Sequence, residues 1–210
     1  MDAFLIVAVS TLFTIVNPLG ALGPFLSMTV GESVEKKKQM AKLASIYASG
    51  ILAGSALAGA FIFRFYGITL PALRIAGGIL LFFIAFDMLN ARQSRTKQSA
   101  EEQSEGVKKD DISVFPLAMP LLAGPGSIVS VFLLSDQATT ITRQLSLYGA
   151  IAIIGLIAFI TLREAHRVAR LLGQTGINVF SRLMGVVLAA ISVQFVIDGL
   201  RAALPGLTGQ

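Results

Sequence analysis

Twenty-eight consecutive residues, Ala3 to Val30, carry no charge. Such a run cannot lie on the surface of a water-soluble domain, where polar side chains must interleave with apolar ones. It exceeds the ~20 apolar residues that take a helix across a bilayer. Five more runs follow: Leu43 to Phe63, Pro71 to Leu89, Ile112 to Ser135, Gln144 to Leu162 and Leu183 to Leu200. Charges such as Arg74, Asp87 and Asp198 fall near their ends, where side chains reach the interface. Apolar residues make up 54% of the chain and charged ones 14%, against about 25% charged in soluble domains. The runs do not alternate as barrel strands do. The sequence therefore reads as an all-α, polytopic membrane protein with six transmembrane helices, and its constant partner is the lipid bilayer.

Several classes drop out on composition. There is no cysteine, which removes disulfides and thiolate metal sites. His166 is the only histidine; it reads as solvated in a basic loop, so no metal site or cofactor is expected. The net charge of +5 does not point to nucleic acid, because the basic residues sit at the ends of the apolar runs. Met1-Asp2 puts no basic residue ahead of the first run, which reads as a permanent span rather than a cleaved signal. Neither a phosphate-binding Gly-x4-Gly-Lys loop nor a His-Glu-x-x-His motif is present. The chain is not expected to be an enzyme or an ATP-driven pump.

The loops after the first, third and fifth runs hold most of the basic residues. They carry Lys36, Lys37, Lys38 and Lys42, then Arg92, Arg95, Lys97, Lys108 and Lys109, then Arg163, Arg167, Arg170 and Arg182. The opposite side has only Arg64, Arg74, Arg143 and Arg201. The positive-inside rule places the richer loops in the cytoplasm and both termini outside.

The halves resemble one another at an offset of 101 residues. Gly23-Pro24 falls on Gly124-Pro125; Lys42, Ser45 and Tyr47 fall on Arg143, Ser146 and Tyr148; Gly54 falls on Gly155. In the third spans the offset is 108, laying Arg74 and Gly77 on Arg182 and Gly185. Three spans per half force the second half to enter from the opposite face. The expected organisation is two inverted three-helix repeats, over 1–90 and 112–210, joined by a polar cytoplasmic linker over 91–111. Inverted repeats are common in secondary transporters.

Helices 1 and 4 should be broken. Asn17-Pro18 through Gly23-Pro24 interrupts the first, and Pro116, Pro120 and Gly124-Pro125-Gly126 interrupt the fourth. Freed backbone groups cost several kcal/mol each in hydrocarbon unless buried in protein or facing a wet cavity. Proline after glycine could open a new half-helix, its favoured first-turn position. The positive end of a half-helix suits a carboxylate. Unwound carbonyls and the Asn17 amide suit an ammonium, so a zwitterionic amino acid would use both. The plain alternative is a pair of structural kinks.

Other positions carry weaker signals. Tyr47 and Tyr148 could act as matched gates, or as interface and packing residues. Thr14, Ser127, Ser130, Ser192 and Gln194 could touch solute or bond across helices. Gly50 and Gly54 form a small-xxx-small pattern that reads as close helix packing. Asp87 and Asp198 could carry a proton, or be solvated carboxylates at helix ends.

The segment Phe13-Thr14-Ile15-Val16-Asn17-Pro18-Leu19-Gly20, continuing through Gly23-Pro24-Phe25, resembles the opening signature of the MarC family of bacterial inner-membrane proteins. Phe115 through Ile128 resembles its second signature. The likeness implies a transporter of small neutral amino acids such as glycine or alanine, coupled to an ion (H+ or Na+). It carries over Asn17, Gly20, Gly23, Pro24, Gly124, Pro125, Gly126 and Ser127 as a substrate-binding region. The competing readings are export of another small solute such as a drug or metabolite, an intramembrane enzyme, and a channel or assembly partner. Absence of Trp and the Gly-rich breaks argue for a small ligand over a bulky drug.

Overall fold

A computed structural model describes residues 3–90 and 111–204; the expected linker, apart from Asp111, lies outside the described residues. Among these all regular structure is helical: α1 (Ala3–Val16), α2 (Leu22–Met28), α3 (Val34–Tyr66), α4 (Leu70–Leu89), α5 (Ser113–Leu122), α6 (Pro125–Gln137), α7 (Ile141–Arg163) and α8 (Ala165–Ala203). Side-chain caps fix two of the starts. The Thr69 hydroxyl accepts the Ala72 N–H ahead of α4, and the Thr140 hydroxyl accepts the Arg143 N–H ahead of α7, each covering a donor the first turn leaves open.

α3, α4, α7 and α8 are each long and apolar enough to cross a membrane. α5 and α6 form a pair bent by 60°. α1 has 14 residues and rises about 21 Å, short of a ~30 Å hydrocarbon core. The six expected spans thus become four complete helices, one bent pair, and a short α1 followed by α2. Asn17 ends α1 by adopting φ +48°, which no right-handed helix continues through.

Two expectations need correction. The stretch from Arg163 to Arg182, read as a loop, is mostly helical; Gly173 at φ +63° splits α8 there. His166 is exposed in the first turn of α8. Gly50 and Gly54 do not pack closely: a Cβ at either would meet nothing within 4 Å, and both are exposed. A small-xxx-small pattern makes an interface only where another helix covers that face.

The close seam lies instead between α4 and α8, the most extensive helix pair. A Cβ at Gly78 would come 2.6 Å from the Ser192 carbonyl oxygen, one at Gly199 2.9 Å from that of Pro71, and one at Gly185 3.0 Å from the Leu89 nitrogen. The start of α4 thus meets the end of α8, so the pair is antiparallel. Absent side chains let the two backbones approach. Elsewhere α1 packs on α7, and α3 packs on both α5 and α7. Two buried apolar clusters result. One joins α1, α2, α3, α5, α6 and α7 with Ala165 and Ile177 of α8. The other gathers Ile15, Leu81, Ile84, Leu133, Leu188 and Phe195 around α4 and α8. The end of α1 serves both, with Ile15 in the second cluster and Val16 in the first.

Candidate functional site

The first break is built around Asn17. Its N–H still bonds the Phe13 carbonyl at 3.0 Å, and its own carbonyl accepts the Ala21 N–H at 3.3 Å. Its side-chain Oδ1 accepts the Gly20 N–H at 3.2 Å. Asparagine is one of the few residues other than glycine that tolerate positive φ, and its amide closes such turns. A Cβ on Gly20 would collide with the Asn17 amide nitrogen. The unwound stretch covers only residues 17–21. Gly23-Pro24, expected inside the break, lies in the first turn of α2, which opens at Leu22 after Ala21; Pro24 is thus the third residue of the half-helix rather than its opener, and the break is shorter than expected.

The second break has a different construction. Phe115 (φ −132°, ψ 126°) and Met119 (φ −129°, ψ 126°) are extended, as a residue before proline prefers. α5 is accordingly a wide π-type coil, with the Leu117 N–H on the Ile112 carbonyl and the Ala123 N–H on the Ala118 carbonyl. Gly124 then runs extended and caps α6, with Pro125 as its first residue. The Ile128 N–H bonds the Gly124 carbonyl at 3.0 Å. The N–H groups of Gly126 and Ser127 come before that bond and open the helix as its unpaired donors. Both residues are buried. The Ser127 hydroxyl donates to the Leu122 carbonyl at 3.1 Å and the Ser130 hydroxyl to that of Gly126 at 2.8 Å. Ser127 thereby satisfies a carbonyl that the break released.

The start of α6 is wedged between α4 and the end of α1. A Cβ on Gly126 would lie 2.5 Å from Ile84 Cδ1, 3.2 Å from Leu81 Cδ2 and 3.7 Å from Ile15 Cγ2. Ile15 stands just before Asn17, so the two breaks adjoin. α8 closes another side: the Thr14 hydroxyl donates to Ser10 and lies 3.9 Å from Met184 Sδ, and the Phe13 ring meets the Phe180 ring edge-on at 6.1 Å.

Of the expected binding residues, Asn17, Pro24, Gly124, Gly126 and Ser127 are buried, Gly20 is half-buried, and Gly23 and Pro125 are exposed. Tyr47 is exposed on α3, while Tyr148 is half-buried on α7 against the first cluster; their surroundings differ. The Ser192 hydroxyl donates to the Ala189 carbonyl and the Gln194 amide to the Asp198 carboxylate. Asp87 is half-buried near the end of α4. Sequence reasoning missed Ile15, Leu81 and Ile84, which hold the breaks together; nothing in an apolar run marks them out. Among the described residues no group of three or more acidic or histidine side chains is placed to hold a metal ion.

Both signature segments therefore fold as the two adjoining breaks, and residues 2–204 match the MarC family of integral membrane proteins. The chain belongs to the MarC family. It is 41% identical to a UPF0056 membrane protein of Aquifex aeolicus, over 92% of this chain and 91% of that one. It is 36% identical to the UPF0056 membrane protein YvbG of Bacillus subtilis, over 99% of each. It is also 36% identical to YhcE of Escherichia coli, over 93% of this chain and 91% of that one. No solved structure matches it. Family membership and the four long apolar helices make it a multi-pass membrane protein.

Proposed function

We propose that this MarC-family protein is a secondary transporter that moves small neutral amino acids by alternating access across a bacterial inner membrane. In this reading α1–α2, α3 and α4 form one repeat, and α5–α6, α7 and α8 form the other, inverted, with both termini periplasmic. The partner exchange supports it. α1 packs on α7 while its counterpart α5 packs on α3, and α4 lies antiparallel to its counterpart α8. A two-fold axis in the membrane plane generates such a pattern.

The observation that carries the proposal is the meeting of the two breaks at Ile15 and Gly126. The buried N–H groups of Gly126 and Ser127, at the positive end of α6, would receive the substrate carboxylate. The unwound carbonyls of residues 17–21, with the Asn17 amide oxygen, would receive its ammonium. α2 adds little: it has seven residues, and Pro24 has no N–H to offer. Neither break holds an ionisable side chain. A coupling cation there would be held by carbonyl oxygens, which suits sodium better than a proton.

Thermal unfolding of the purified protein tests the zwitterion. Alanine, glycine and serine should each raise the melting temperature, by an amount reaching about 2.7 kcal/mol of stability at 100 times Kd. Propionate and ethylamine, which each keep one charged end, should not. Equal stabilisation by propionate would overturn the reading.

A further inference from the structure

Arg74, near the start of α4, pairs with Asp136, in the last turn of α6, at 3.4 Å, their side chains 23% and 41% exposed. The pair ties the first half of the chain to the second. It lies at the end of the bundle where α1 begins: Arg143, at the start of α7, sits 5.7 Å from the Phe4 ring and donates to the Gln137 carbonyl.

The 101-residue offset holds from Pro24 on Pro125 to Lys42 on Arg143, and between them it lays Glu35 on Asp136. The 108-residue offset lays Arg74 on Arg182. Acid and arginine therefore recur together. The second pair belongs to the opposite end. Gly185, one turn from Arg182, packs against Ala85 and Leu89, the far end of α4 from Arg74. Ala56 of α3 accepts the Ser135 hydroxyl, and Glu35 lies about six turns earlier on that helix. Glu35 and Arg182 are both exposed, and among the described residues neither takes part in an ion pair. The half-helices differ in the same sense. α6 packs on α1, α3 and α4, whereas its counterpart α2 is shorter and packs lightly on α7 and α8.

We infer that Arg74–Asp136 and Arg182–Glu35 are reciprocal gates, one latched while the other is apart, each closing one end of the site between the breaks. The structure is the state latched at the Arg74 end. Passage to the other state breaks the first pair, extends α2 and forms the second. This rests on the inverted-repeat transporter reading above.

The chain has no cysteine, so Ser127→Cys gives a single reporter in the site. Its labelling by a membrane-impermeant maleimide is measured in vesicles of each orientation. Labelling is expected from the Glu35 end and slow from the Arg74 end. Arg74→Ala should raise the rate from the Arg74 end about two- to fivefold, the scale of an exposed ion pair. The charge swap Arg74→Asp with Asp136→Arg should restore the slow rate, which separates a gate from a folding defect. Oxidising a Glu35→Cys, Arg182→Cys pair should shut the Glu35 end and open the Arg74 end. If Ser127→Cys is reached but the gate variants change neither rate, or the Glu35→Cys, Arg182→Cys pair never cross-links, the gates are wrong and the site survives. If Ser127→Cys is sealed from both ends in every variant, the central site itself is wrong, and the gates fall with it.

Discussion

Asn17 and Gly20 compete for one volume: the Asn17 amide nitrogen occupies the place a Gly20 side chain would take, while the same amide's oxygen accepts the Gly20 N–H at 3.2 Å. The turn that stops α1 works only if one residue supplies a short amide at positive φ and the other supplies no side chain. This mutual requirement gives the Asn-Pro-Leu-Gly segment its physical meaning.

Gly20→Ala should therefore cost about 1–3 kcal/mol, the usual range for forcing atoms into occupied space. Gly23→Ala, where a Cβ would meet nothing within 4 Å, should stay within about 0.5 kcal/mol. Thermal unfolding in detergent ranks the two; equal losses would contradict the account of the first break.

Asn17→Gly and Asn17→Ala both delete the amide, but only glycine accepts φ +48° without strain. The alanine variant should be less stable by about 1 kcal/mol. The difference between their unfolding midpoints measures the backbone cost apart from the lost hydrogen bond.

Along the α4–α8 seam, Gly78→Ala should lose about 1–3 kcal/mol, because the new methyl group meets the Ser192 carbonyl and Val196. Gly50→Ala and Gly54→Ala face open space and should gain up to about 1 kcal/mol from helix propensity. A loss at Gly50 or Gly54 would mean that the exposed face of α3 is covered by something else in the membrane.

Ser127→Ala strips the hydrogen bond from the buried Leu122 carbonyl and should cost about 1–3 kcal/mol. The backbone N–H of Ser127 remains, so KM for alanine should not change. A large rise in KM at unchanged stability would move the hydroxyl from holding the break to holding substrate.

The apolar runs made the helical, multi-pass character legible, and the Gly-Pro clusters located both breaks to within a few residues. Pro18 and Pro120 announce a broken helix because the missing N–H acts locally. The length of each break was not legible. It is set by whether the next proline can sit in a first turn, as Pro24 does in α2. The partner of a glycine was not legible either. Gly50 and Gly54 look like an interface and are not one, while Gly78, Gly185 and Gly199 make one with no pattern of their own, since a groove needs a second helix, here one from far along the chain. Ile15, Leu81 and Ile84 join the breaks by tertiary packing alone. The Arg74–Asp136 pair follows from the fold, because its members stand on helices from different halves.

The central claim, that the adjoining breaks form one site that carries a neutral amino acid across the membrane, is tested most directly by counterflow. Proteoliposomes loaded with unlabelled alanine are given labelled alanine, glycine or serine outside, with and without sodium and pH gradients. The wild-type protein should accumulate label and Gly20→Ala should not. If folded wild-type protein exchanges none of the three under any gradient, the claim is contradicted.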